Sequence, residues 1–101
     1  MSDMTVANEI LRQLGGNRFK ALVGAKNFVG GDNMLMFQVG TGAKNKINKV
    51  RITLTPADLY NIEFFYIRGV NVKIIAKHEG IYNDMLADIF TKETGFYTTF
   101  R

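Results

Sequence analysis

An α+β fold is what the 101 residues predict: an antiparallel sheet of four to six strands with an N-terminal and a C-terminal helix packed on it. Three observations carry this. Val50, Ile52 and Leu54 alternate with Arg51, Thr53 and Thr55, and Val70, Val72 and Ile74 alternate with Asn71 and Lys73, the period of a strand with one buried face. Over residues 6–14 and 81–94, apolar side chains instead recur every three or four positions, the period of an amphipathic helix. Glycine-rich breaks punctuate the runs. The length fits a single domain spanning residues 1–101.

Taken in order, Thr5 stands as an N-cap before a helix whose Val6, Ile10 and Leu14 share a face, and Gly15-Gly16 ends it. Arg18–Val23 reads as a strand, with the choice of buried face open. Gly24–Asn27 breaks that run, Phe28-Val29 forms a short strand or a loop anchor, and Gly30-Gly31-Asp32-Asn33 is a turn. Met34–Val39 is a further strand, with Leu35, Phe37 and Val39 as its core face. The strand over 47–54 runs into Thr55-Pro56-Ala57-Asp58, the pattern of a one-turn helix near residues 56–60: an N-cap threonine, proline at the first helical position and an acid in the first turn. Ile62–Arg68 is apolar on both faces and reads as the central strand, with a second cover or an exposed aromatic patch on its far side. Gly69 makes a turn or a bulge, Val70, Val72 and Ile74 point inward, and His78-Glu79-Gly80 closes the sheet. In the last helix Tyr82, Met85, Leu86, Ile89, Phe90 and Glu93 trace one stripe, Gly95 follows its end, and 96–101 is β-prone.

The composition excludes several chemistries. Without cysteine there is no disulfide, thiolate metal site or cysteine nucleophile. The first residues, with an early acid and no long apolar run, predict neither a signal peptide nor a membrane span. His78 stands alone as a histidine, Asp84 and Asp88 lack a third acid on their helix face, and Asp58 with Glu63 makes a poor acid–base pair. No phosphate-binding loop, dinucleotide fingerprint or nucleophile elbow occurs. The expectation is a protein that is no enzyme and takes no cofactor and no metal.

Charge is the strongest remaining signal. Residues 12–51 carry eight basic side chains against Asp32 alone, although the formal charge of the whole chain is only +4. Lys26, Lys44, Lys46, Lys49 and Arg51 are the candidates for holding phosphates, with Tyr60, Phe65, Tyr66 and Tyr97 as candidates for stacking on bases. Gly-Ala-Lys-Asn occurs twice, at 24–27 and 42–45, and two such loops at one edge of a sheet would hold an anion between them. No recognised nucleic-acid module accompanies these residues. The other candidate surface is for a protein partner, built from Met34, Met36 and Phe65.

The stretches LGGNRF at 14–19, GAKNFV at 24–29, VRITLTPADLY at 50–60 and EGIYNDMLADIFTKETGFYT at 79–98 carry a resemblance over most of the chain. It resembles a family of small uncharacterised proteins encoded by bacteriophages and prophages. The resemblance implies a phage or prophage origin and expression in the host cytoplasm, without implying an activity. Sequence reasoning therefore expects a small phage-type protein that acts by binding a protein partner, from the host or the virion, or itself. The alternative is non-sequence-specific nucleic-acid binding through the basic 12–51 region.

Overall fold

The computed structural model describes residues 4–40 and 42–96. Its five strands are β1 (Lys26–Gly30), β2 (Met34–Gln38), β3 (Lys49–Leu54), β4 (Tyr60–Arg68) and β5 (Asn71–Ile81), all antiparallel and in sequential order across the sheet. The helices are α1 (Thr5–Leu14), α2 (Asn17–Val23) and α3 (Leu86–Thr94), with single 3₁₀ turns at Lys44–Lys46 and Asn83–Met85. The predicted α+β class holds: an antiparallel sheet covered by N-terminal and C-terminal helices. The β-prone residues 97–101, and Tyr97 with them, lie outside the described residues.

Cross-strand neighbours share a face, so the register sorts the side chains. Leu35, Ile52, Ile62 and His78 form one row, and Phe37, Val50, Phe64 and Ala76 the next. Against these rows pack Ala7, Ile10 and Leu14 of α1, Phe19 and Val23 of α2, and Leu86, Ile89 and Phe90 of α3. Phe19 is the meeting point, its ring edge-on to Phe37 at 5.3 Å and to Phe90 at 5.1 Å. Each such fully buried phenylalanine contributes about 1.5–3 kcal/mol of transfer free energy.

Several expectations are corrected. The last helix, α3, begins at Leu86 and not at residue 81: Ile81 ends β5, Asn83–Met85 is a 3₁₀ turn, and Tyr82 and Met85 are exposed, off the buried stripe. Arg18–Val23 lies in a helix, α2, and not in a strand. In a short run two periods compete, and here Phe19 and Val23, four apart, are the buried pair. Residues 56–60 form a turn in place of a one-turn helix: the Thr55 N–H donates to the Leu59 carbonyl at 2.8 Å, the Asp58 N–H to the Thr55 carbonyl at 3.0 Å, and Asp58 takes φ 60°. A helix cannot pass through that left-handed residue, and the chain reverses so that Leu54 pairs with Tyr60. Thr5 does not cap α1, whose N-cap position is Met4.

A further correction concerns β5. Val70, Val72 and Ile74 point away from the core and are 97%, 61% and 57% exposed. Phe64 pairs with Ala76 but Phe65 with Ile74, so Ile75 is an extra, bulged residue. The bulge flips the alternation, leaving Ala76 and His78 on the helix side and Ile74 and Val72 on the opposite face. The middle strand is β3, and β4 lies one place toward the β5 edge. It is nonetheless buried on both faces from Ile62 to Phe65, as its composition predicts.

Candidate functional site

The sheet is a simple meander, so its connections alternate between two ends. At one end lie the start of β1, the β2–β3 connection and the β4–β5 turn. Residues 24–26, 39–40, 42–49 and 66–73, which make up this end among the described residues, carry Lys26, Lys44, Lys46, Lys49, Arg68 and Lys73 and no acidic residue. At the other end, 30–34, 53–61 and 78–86 carry Asp32, Asp58, Glu79 and Asp84 and neither lysine nor arginine. Folding thus converts an uneven charge distribution along the chain into two ends of opposite sign.

Three adjoining hollows run around the basic end. One of about 440 Å³ is lined by Val39, Gly40, Ala43, Lys46, Ile47, Asn48 and Tyr66. The next, about 620 Å³, shares Lys46 and Tyr66 and adds Asn45, Lys73, Ile74 and Ile75. The third, about 240 Å³, shares Val39 and Asn48 with the first and brings in Lys26, Gln38, Lys49 and Ile67.

Asn48 ties β3 to the end of β4 here. Its side-chain amide donates to the Ile67 carbonyl at 2.8 Å and its side-chain carbonyl accepts from the Ile67 N–H at 2.9 Å, so the side chain stands in for one more residue of the β3–β4 ladder. The repeated Gly-Ala-Lys-Asn is structural as well as textual. Both glycines have positive φ, 67° at Gly24 and 102° at Gly42, and both asparagines are left-handed, 56° at Asn27 and 57° at Asn45. The two loops meet where the Gly40 N–H donates to the Val23 carbonyl at 3.1 Å.

The candidate residues divide as follows. Lys26 and Lys49 border one hollow, joined by Gln38 in the cross-strand row Lys26–Gln38–Lys49–Phe65–Ile74. Lys46 borders the other two. Lys44 turns the other way, donating to the Lys92 carbonyl at 3.2 Å in the last turn of α3, a favourable place for a cation. Arg51 sits mid-strand, with two hydrogen bonds to Glu63 at 2.7 and 2.9 Å and its guanidinium 5.5 Å from the Phe65 ring centre. Glu93, next in sequence to the residue whose carbonyl holds Lys44, contacts His78 at 2.8 Å.

Met34, Met36 and Phe65 lie on the face opposite the helices, in rows with Thr53, Arg51 and Lys49. Phe65 is buried at 8% exposure, the methionines are half-buried, and Val29 at 53% joins them. Arg68 and Lys73 were not singled out by sequence reasoning. They belong to the basic end only through the hairpin register, although the Arg68-Gly69 turn between two strand patterns was the available signal.

No group of three or more His, Cys, Asp or Glu converges to hold a metal among the described residues, and none of their helices is long and apolar enough to cross a membrane. The Glu9 carboxyl is held below its usual range by hydrogen bonds from Arg12 and Gln13, but that cluster is on α1 and takes no part in the hollows.

Comparison of the chain with protein-family models, with curated proteins and with solved structures gives no match in any of the three. Its class is accordingly stated by architecture, a five-stranded antiparallel meander with helices on one face.

Proposed function

We propose that this is a non-enzymatic, phage-type binding protein that holds a polyanion, the phosphate backbone of nucleic acid, along its basic end. The observation that carries the reading is the grouping of Lys26, Lys46, Lys49 and Lys73 around three adjoining hollows, in segments that contain no acid. Ammonium groups set along a groove follow phosphates without reading bases, which suits binding indifferent to sequence. This reverses the order expected from sequence, where a protein partner came first.

Titration of labelled oligonucleotides across several salt concentrations tests it. Saturable binding in the micromolar range is expected at low salt, weakening steeply as salt rises because each neutralised phosphate releases condensed counterion. Lys46→Ala should flatten the logarithmic salt dependence by about 0.7–1 unit, with little regard to sequence. Absence of saturable binding at low salt would remove the proposal.

The protein-partner reading keeps one observation in its favour: the face opposite the helices exposes Val29, beside Met36, at the β1 edge and Val72 and Ile74 at the β5 edge. Loss of nucleic-acid binding together with concentration-dependent self-association in sedimentation would put that reading first.

A further inference from the structure

We infer that the nucleic acid held at the basic end is single-stranded and that one of its bases stacks on Tyr66. The inference rests on the polyanion reading above and adds to it the chemical form of the ligand.

Four aromatic residues were open to this role from sequence, and among the described residues the fold leaves one of them. Tyr60 is 5% exposed and belongs to the core cluster. Phe65 is 8% exposed, with the Arg51 guanidinium over its ring. Tyr97 is outside the described residues. Phe19, Phe28, Phe37, Phe64 and Phe90 are joined in one network of ring contacts within the interior. Tyr66 is half-buried and forms the wall between two hollows.

The larger of these hollows offers what a nucleotide requires. Lys46 and Lys73 border it with ammonium groups, Ile74 and Ile75 give it an apolar side, and Asn45 supplies an amide at its rim. A base needs an apolar or aromatic surface for its face and cations for its phosphates, and any base can use a tyrosine ring. In a duplex the base faces are already stacked on one another, and only an unpaired base can be splayed out into a recess. A ring lying in a recess beside two lysines therefore selects single strands.

The test compares four probes of equal charge number: a single-stranded oligonucleotide, the same backbone with abasic sites throughout, a duplex, and inorganic polyphosphate. The single strand should bind about tenfold more tightly than the abasic strand, the value of one stacked base. Tyr66→Leu, which keeps apolar bulk in β4, should erase that difference while leaving abasic and polyphosphate binding unchanged. Lys46→Ala should weaken all four. Equal wild-type affinity for the single strand and the abasic strand would overturn the stacking inference and leave the phosphate reading standing, as would a duplex bound more tightly than the single strand. Failure of every probe to bind would overturn both. The wild-type comparison needs no variant, so a Tyr66 substitution that fails to fold does not block the test.

Discussion

Asp58, at φ 60°, shows how one residue decides a local structure. Thr-Pro-Ala-Asp satisfies the rules for a helix start, and every side chain in it is compatible with one. The competing demand is a reversal between β3 and β4, and aspartate is among the few residues that enter the left-handed region at modest cost. The two conformations make opposite predictions for substitution. Asp58→Gly should be neutral or stabilise by up to about 1 kcal/mol, because glycine takes positive φ freely, whereas in a helix it would cost about that much. Asp58→Val should cost about 1–2 kcal/mol, since a β-branched side chain is an outlier there. Urea melts of the two variants check this, and a destabilised glycine variant beside a tolerated valine would restore the helix. Tyr66 illustrates the converse. Its identity as a possible stacking ring was legible from composition, but its selection over Tyr60 and Phe65 required burial, which no residue pattern supplies.

At the scale of elements, runs that fit a single period were read correctly, and runs that fit two periods or carry an interruption were not. The apolar faces of α1, β2 and β3 stand where periodicity puts them, because ten, five and six residues of one pattern each leave a single way to bury it. Seven residues of α2 fit either period, and the choice was made by the aromatic cluster around Phe19, a tertiary fact. The β5 alternation was interrupted by a bulge that Ile75 does not announce, being as apolar as its neighbours. The contact of α1 with β1 is equally hidden in the sequence. Gly30 has ordinary backbone angles, but a Cβ there would lie 2.9 Å from Ala7 Cβ and closer still to the end of the Met4 side chain. Gly30→Ala should therefore push α1 off the sheet and cost about 1–3 kcal/mol. For a domain of this size that lowers the melting temperature by about 4–8 °C per kcal/mol, which thermal denaturation reads directly. An unchanged melting temperature would mean that α1 is not seated over Gly30.

Across the whole molecule, the two faces of the sheet have different duties. The helix side carries the core, while the far side combines Arg51, Lys49 and Glu63 with exposed Val29, Val72 and Ile74. Ile74→Lys should accordingly leave stability within about 0.5 kcal/mol, whereas Ile52→Lys, at a position with no exposure, should abolish cooperative folding. Equal damage from both would show that something covers the far side. The sheet ends differ more sharply than the faces, and their difference has an effect at a distance. The segments at one end carry four carboxylates and neither lysine nor arginine, and those at the other carry six cations and no acid. The net charge of +4 alone would attract the protein to a phosphate chain in any attitude. On the proposed phosphate-binding reading, this separation of charge would add a torque that turns the lysines toward the phosphate chain within about one Debye length, some 8–10 Å, of contact. Collisions would then be aligned before they are made, and that advantage would shrink as the ionic atmosphere tightens.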